Sequence, residues 1–179
     1  MIDYLSIIEK YYIPGSDAYN LLITHSRQVA EYAMQLADRS AVAVDRDFAY
    51  EAAMLHDIGV FKTNAPGIFC YGDEPYLRHG LIGRAILEAE GLPLHALVCE
   101  RHIGAGLTAV EISEQKLPLP AVDMLPLTVE EKLVCYADNF FSKSRVAPAK
   151  PFTRVREQMS RYGEGTLARL DAMHELFGE

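Results

Sequence analysis

Four imidazoles and two carboxylates stand in this chain where apolar side chains are expected: His25, His56, Asp57, His79, His102 and Asp138. Burying an unpaired imidazole or charge is costly. Taken singly, His25, His79 and His102 read as satisfied core histidines, and Asp138 as a buried acid near a helix terminus. Taken together, on five different helices, they point to divalent metal. Imidazole nitrogen suits Fe, Mn, Zn, Co and Ni, and carboxylate adds negative charge and a harder oxygen that also suits Mg. If two ions bind, Asp57 is the natural bridge. His25, His56 and Asp138 would then complete one site, and His79 and His102 the other. Two metals about 3.5–4 Å apart can clamp an attacking hydroxide and a phosphoryl oxygen together.

Helices must position these groups. The chain reads as helical almost throughout, with no convincing strand. A first helix covers Ile2 to about Tyr12 and stops at Pro14-Gly15. Ser16 caps a long helix over Asp17–Arg39, whose apolar stripe is Ala18, Leu22, His25, Val29, Ala33 and Leu36. A third helix, about Arg46–His56, carries Ala49, Ala52, Ala53 and His56 on one face and ends through Gly59. A long loop over Phe61–Arg78 has the length of a lid or binding loop. A helix over about His79–Glu90 sets His79, Ile82 and Ile86 in register. The next starts at Pro93 and puts Leu94, Val98 and His102 on one face. A glycine-rich turn leads to a short helix near Thr108–Gln115. Thr128 caps a helix through Phe141 with Val134, Asp138 and Phe141 inward. One or two amphipathic helices finish the chain.

The 179 residues suit one domain able to bury a real core. No stretch approaches the roughly 18 apolar residues of a membrane span, and the start lacks a secretory pattern. Three widely spaced cysteines, Cys70, Cys99 and Cys135, form neither a disulfide framework nor a metal knuckle, so they read as small buried hydrophobes in a cytoplasmic protein. The net charge of −8 disfavours a DNA or RNA duplex as partner. The charge is uneven: Lys143, Arg145, Lys150, Arg154, Arg156 and Arg161 face Glu157 alone between positions 143 and 161. That stretch reads as a solvated face or as a local attractor for a phosphorylated ligand.

The order His25, His56-Asp57, Asp138, with the tetrapeptide His56-Asp57-Ile58-Gly59, resembles the HD superfamily of metal-dependent phosphohydrolases. His79-Gly80 and His102-Ile103-Gly104 resemble the second-metal ligands of its binuclear members, such as the bacterial HD hydrolases of dinucleoside tetraphosphates. Ala137-Asp138 is similar to an Ala-Asp pair in the same enzymes. The resemblance spans about Thr24 to Ser144. It implies an all-α, compact multi-helix HD-domain bundle with the metal site at its centre. A single domain over 1–179 would have its core at about 16–144 and C-terminal helices at about 151–177. It also implies two divalent ions and hydrolysis of a phosphate ester or anhydride of a small molecule, a nucleotide by preference, through a metal-activated hydroxide. The chain departs from the HD-GYP phosphodiesterases. Arg101 precedes His102, Gly104–Leu107 contains no Tyr-Pro, and Val60 stands where those enzymes carry Lys. Cyclic di-GMP is therefore disfavoured.

Asp57, Lys62 and Arg101 are the candidate catalytic residues. Lys62 either meets a phosphate from the loop or stays solvated. Arg101 either orients a phosphate or pairs with Glu100 or Asp138. Phe69 and Tyr71 either stack a base or pack the loop down. His95 and His174 read as ordinary packing or surface residues. No organic cofactor is expected, and oligomerisation is open. The same ligand set would also suit a di-iron oxygenase of the HD fold, and a non-catalytic nucleotide-binding module is a third reading.

Overall fold

The computed structural model describes residues 2–144 and 147–178. Among them are nine α-helices: α1 (Tyr4–Glu9), α2 (Asp17–Arg39), α3 (Arg46–Leu55), α4 (His79–Ala89), α5 (Pro93–Arg101), α6 (Ala109–Glu114), α7 (Val129–Asp138), α8 (Phe152–Met159) and α9 (Glu164–Phe177). The fold is all-α. Among the described residues the sheet structure amounts to a two-residue antiparallel ladder, β1 (Asn64–Ala65) with β2 (Cys70–Tyr71), around the Pro66–Ile68 turn, and three isolated bridges. Two residues per strand are too few to leave a period-2 pattern, which is why the loop alone was legible.

Capping side chains set the helix starts. The Ser16 hydroxyl accepts from Tyr19 N and the Thr128 hydroxyl from Glu131 N. Thr108 and Glu111 form a reciprocal capping box at α6. On α2 the buried set is Leu22, His25, Ser26, Val29, Ala30, Ala33 and Leu36, the apolar stripe expected from the sequence. α3 leads into a run, Glu51–Val60, in which every residue is buried. It lies at the seam of two apolar clusters. Val29, Ala52, Leu133, Tyr136, Leu170 and Phe177 belong to one, joining α8 and α9 to the same core as α2 and α7. Ile8, Leu22, Leu55, Ile58, Leu87 and Cys99 belong to the other.

Three expectations are revised. Leu94 is 63% exposed, and α5 instead turns His95, Ala96, Val98 and Cys99 inward. A nine-residue helix with apolar residues all round does not announce its buried face. α7 stops at Asp138, so Phe141 lies beyond it, half-buried. Gly59 does not terminate α3. The helix ends at Leu55, and Gly59 sits inside a 3-10 turn, Ile58–Lys62. A Cβ at Gly59 would overlap the His79 carbonyl oxygen and the Gly83 amide nitrogen of α4. Gly80 in turn would drive a Cβ to 2.5 Å from the Cys99 carbonyl oxygen of α5. Bare backbone at these two positions lets α4 settle between the 3-10 turn and α5.

Candidate metal centre

That close packing brings the six sequence-marked residues together. His25 comes from the middle of α2. The other five sit at helix ends: His56 and His102 follow the last residues of α3 and α5, Asp57 opens the 3-10 turn, His79 begins α4 and Asp138 ends α7. Helix ends suit a convergent site, because side chains there escape the one-face geometry of a regular helix and terminal carbonyls are free to accept. Those carbonyls are used. The Nδ1 of His56 lies 2.6 Å from Ala53 O, that of His79 2.7 Å from Tyr76 O, and that of His102 2.8 Å from Cys99 O. Each ring is three residues from its acceptor. With Nδ1–H donating to the backbone, it is the Nε2 of each ring that faces the centre and that a metal would take.

Asp57 stands between two nests. Its Oδ2 lies 3.4 Å from His25 Nε2 and 3.3 Å from His56 Nε2. Asp138 Oδ1 closes that half at 2.9 Å from His25 Nε2 and 3.5 Å from His56 Nε2. Asp57 Oδ1 lies 3.4 Å from the Nε2 atoms of both His79 and His102, which are 3.1 Å from each other. Neutral rings in this tautomer would aim two lone pairs at one another. Among the described residues, Asp57 Oδ1 and His56 Nε2 are buried without a hydrogen-bond partner. Ligands about 2.0–2.2 Å from a common ion are themselves about 3 Å apart. The donor set, its spacing and its unpaired atoms therefore fit divalent cations.

The electrostatics agree. Burial would raise both carboxyls. The charges of His56 and Lys143 instead hold Asp57 well below the usual carboxylate range, and the charge of Lys143 with the hydrogen bond to His25 does the same for Asp138. Burial, with His102 and Lys143 nearby, pushes His79 down to about 3 against the pull of Asp57, so it is neutral and ready to ligate. For His56 burial is outweighed by Asp57 and Asp138, which lift it to about 10 in the metal-free protein. A cation must displace that proton. Metal affinity should therefore rise with pH from 7 towards 10, by about tenfold per unit from this group. Calorimetry in buffers of different ionisation enthalpy should show about one proton released.

One cation escaped the sequence reading. Lys143, seen there only as part of a basic stretch, places Nζ 3.0 Å from Asp57 Oδ2, with its side chain 15% exposed. It follows Asp138 by five residues in non-helical chain, where no periodicity marks an inward direction. Two cavities meet at Ser142, Lys143 and Ser144. One of about 300 Å³ reaches His25 and Phe69, and one of about 430 Å³ reaches Asp138, Tyr76 and Lys150. Arg145 lies outside the described residues.

The structure places Lys62 and Arg101 elsewhere. Lys62 lines a separate recess with Phe61, Tyr71 and Asp73 that contains none of the six ligand candidates. Arg101 donates from one nitrogen to both oxygens of buried Glu131, at 3.1 and 3.0 Å, and stands 3.9 Å from Glu100. Arg169, unremarked in the sequence, holds the turn that follows His102 by donating to Ala105 O and Gly106 O. His95 packs edge-on against Phe48, 3.3 Å from Glu51, and His174 stacks on Phe152. Cys70, Cys99 and Cys135 are free and buried, and burial pushes their thiols up.

A family model described as "HD domain" matches residues 22–142. The chain belongs to the HD domain family. The match runs from just before His25 to just beyond Asp138 and so encloses every residue of the double nest. A tRNA (cytidine(56)-2'-O)-methyltransferase of Picrophilus torridus is 33% identical over 168 residues, 91% of this chain and 43% of that protein. Its namesake in Thermoplasma volcanium is 34% identical over 139 residues, 77% of this chain and 35% of that protein. An uncharacterised protein of Methanocaldococcus jannaschii is 38% identical over 130 residues, 70% of this chain and 69% of its own length. The chain thus spans less than half of each of these two methyltransferases. No solved structure gives a significant match. No helix among the described residues is long and apolar enough to cross a membrane.

Proposed function

We propose that this HD domain is a metal-dependent phosphohydrolase acting on a phosphate ester or anhydride of a small molecule, with nucleotides the substrate class. The observation that carries the reading is the disposition of Asp57. Its two oxygens face two separate imidazole nests at 3.3–3.4 Å. His25, His56 and Asp138 would hold one cation, His79 and His102 a second, and Asp57 would serve both. Bound there, divalent cations supply Lewis acidity toward a phosphoryl oxygen and lower the pKa of a coordinated water. The chain's part is to fix the donors. Three backbone carbonyls hold the rings in one tautomer, and ionised Asp57 and Asp138 balance the cationic charge. The cavities beside Lys143 give a small anion a way in.

The methyltransferase names belong to chains of which this one matches less than half, so methyl transfer is not carried over. The recurrence of such a domain beside an RNA-modifying activity supports nucleotide phosphates as the first class to assay. The test is turnover of a phosphoester panel by protein loaded in turn with Mn, Fe, Co, Ni, Zn and Mg. Release of phosphate from at least one nucleotide, abolished by chelation, is the expected result. Metal uptake with no hydrolysis under any metal would overturn the reading. Substrate-dependent dioxygen consumption by the iron form would replace it with the oxygenase.

A further inference from the structure

Lys143 is a strange neighbour for a metal nest. Its ammonium stands 3.0 Å from Asp57 Oδ2, the oxygen that also faces His25 and His56. A cation bound among those donors would share that carboxylate oxygen with it, and two positive charges at such a distance repel strongly where water is scarce. A cation bound there would weaken the lysine's hold on Asp57. The lysine has somewhere to go, because it lines both the cavity that reaches His25 and the one that reaches Asp138. Ser142 and Ser144 flank it in both, their hydroxyls 3.0 Å apart. Lys150 stands on the wall of the larger cavity, 3.3 Å from Gln158 Oε1. Arg101 is committed to Glu131, and Lys62 lines another recess. Among the described residues, the cationic side chains that line these two cavities are Lys143 and Lys150.

We propose that Lys143 serves two anions in turn. It neutralises Asp57 in the metal-free protein, and once a divalent cation takes Asp57 it turns into the adjoining cavities and seats the substrate's phosphate, with Lys150 on the larger cavity's wall. The inference rests on the phosphohydrolase reading for its substrate class, but its test does not use turnover. The probes are Mn²⁺ and inorganic phosphate, followed by calorimetry on the full chain and on Lys143→Met and Lys143→Arg. Lys143→Met should bind Mn²⁺ more tightly, by about tenfold, because a competing charge is gone. The Mn²⁺-loaded variant should bind phosphate about tenfold more weakly, the loss of one hydrogen bond to a charged group. Lys143→Arg should restore most of the phosphate affinity.

A lysine that merely supports the fold would weaken both affinities when removed, and that result would overturn the proposal. So would unchanged phosphate binding in Lys143→Met. Should that variant not fold, the unaltered protein carries the test through the acetylation rate of the Lys143 amine, read by mass spectrometry. The rate should rise on adding Mn²⁺ and fall again on adding phosphate. A rate indifferent to Mn²⁺ would refute the exchange. Phosphate held through Lys143 by a protein that hydrolyses no ester would uphold this inference while removing the hydrolase.

Discussion

Asp57→Asn should abolish metal-dependent hydrolysis and reduce bound metal below one equivalent per chain. The carboxylate offers one oxygen to each imidazole nest, and both oxygens are buried. An amide presents a neutral oxygen on one side and a nitrogen that cannot ligate on the other. Cation charge in such sites contributes several kcal/mol of transition-state stabilisation. The turnover number should therefore fall by about a thousandfold or more. The metal-free variant should also unfold more readily. Lys143 and protonated His56 lose their nearest counter-charge in a buried setting, a change worth about 3 kcal/mol. Metal analysis, steady-state kinetics and denaturant unfolding read the three effects separately. A variant that kept two ions and full turnover would contradict the bridging role.

Gly59→Ala should be nearly as damaging although it alters no ligand. The added methyl has no soft neighbour to displace, since it meets the His79 carbonyl and the Gly83 amide of α4. Either α4 moves away or the 3-10 turn distorts. We expect a loss of about 3 kcal/mol, at the upper end for overpacking a rigid interior. Moving α4 carries His79 away from Asp57 and His102, so the nest formed by Asp57 Oδ1 should lose metal before the other does. Thermal unfolding and metal titration check both parts. Wild-type stability with both ions retained would show that the contact between Gly59 and α4 is not what sets the site.

The helices and the six converging side chains were legible because each left a local mark. Ser16, Thr128 and Pro93 announce helix starts, and a histidine inside the stripe Leu22–Leu36 is conspicuous against its apolar neighbours. What depends on packing between elements was not legible. Gly59 resembles a helix terminator in sequence, yet its reason is the backbone of α4, twenty residues on. Leu94 and Val98 share a helical face on paper, but the outward side of α5 is decided by α3, α4 and α7. Arg101 was divided between orienting a phosphate and pairing with Glu100 or Asp138, and its acceptor, Glu131, went unnamed because it is thirty residues away on α7. Lys143 was hidden for the opposite reason. It lies among other basic residues, and only the fold turns it inward to Asp57.

Anomalous scattering from crystals of the protein as purified tests most directly whether cations hold these imidazoles and carboxylates together. Two peaks are expected, one among His25, His56, Asp57 and Asp138 and one among Asp57, His79 and His102. A single peak in the first position, with His79 and His102 turned away, would remove the second ion. Crystals without either peak, from protein that takes up no divalent metal, would contradict a cation-held site outright.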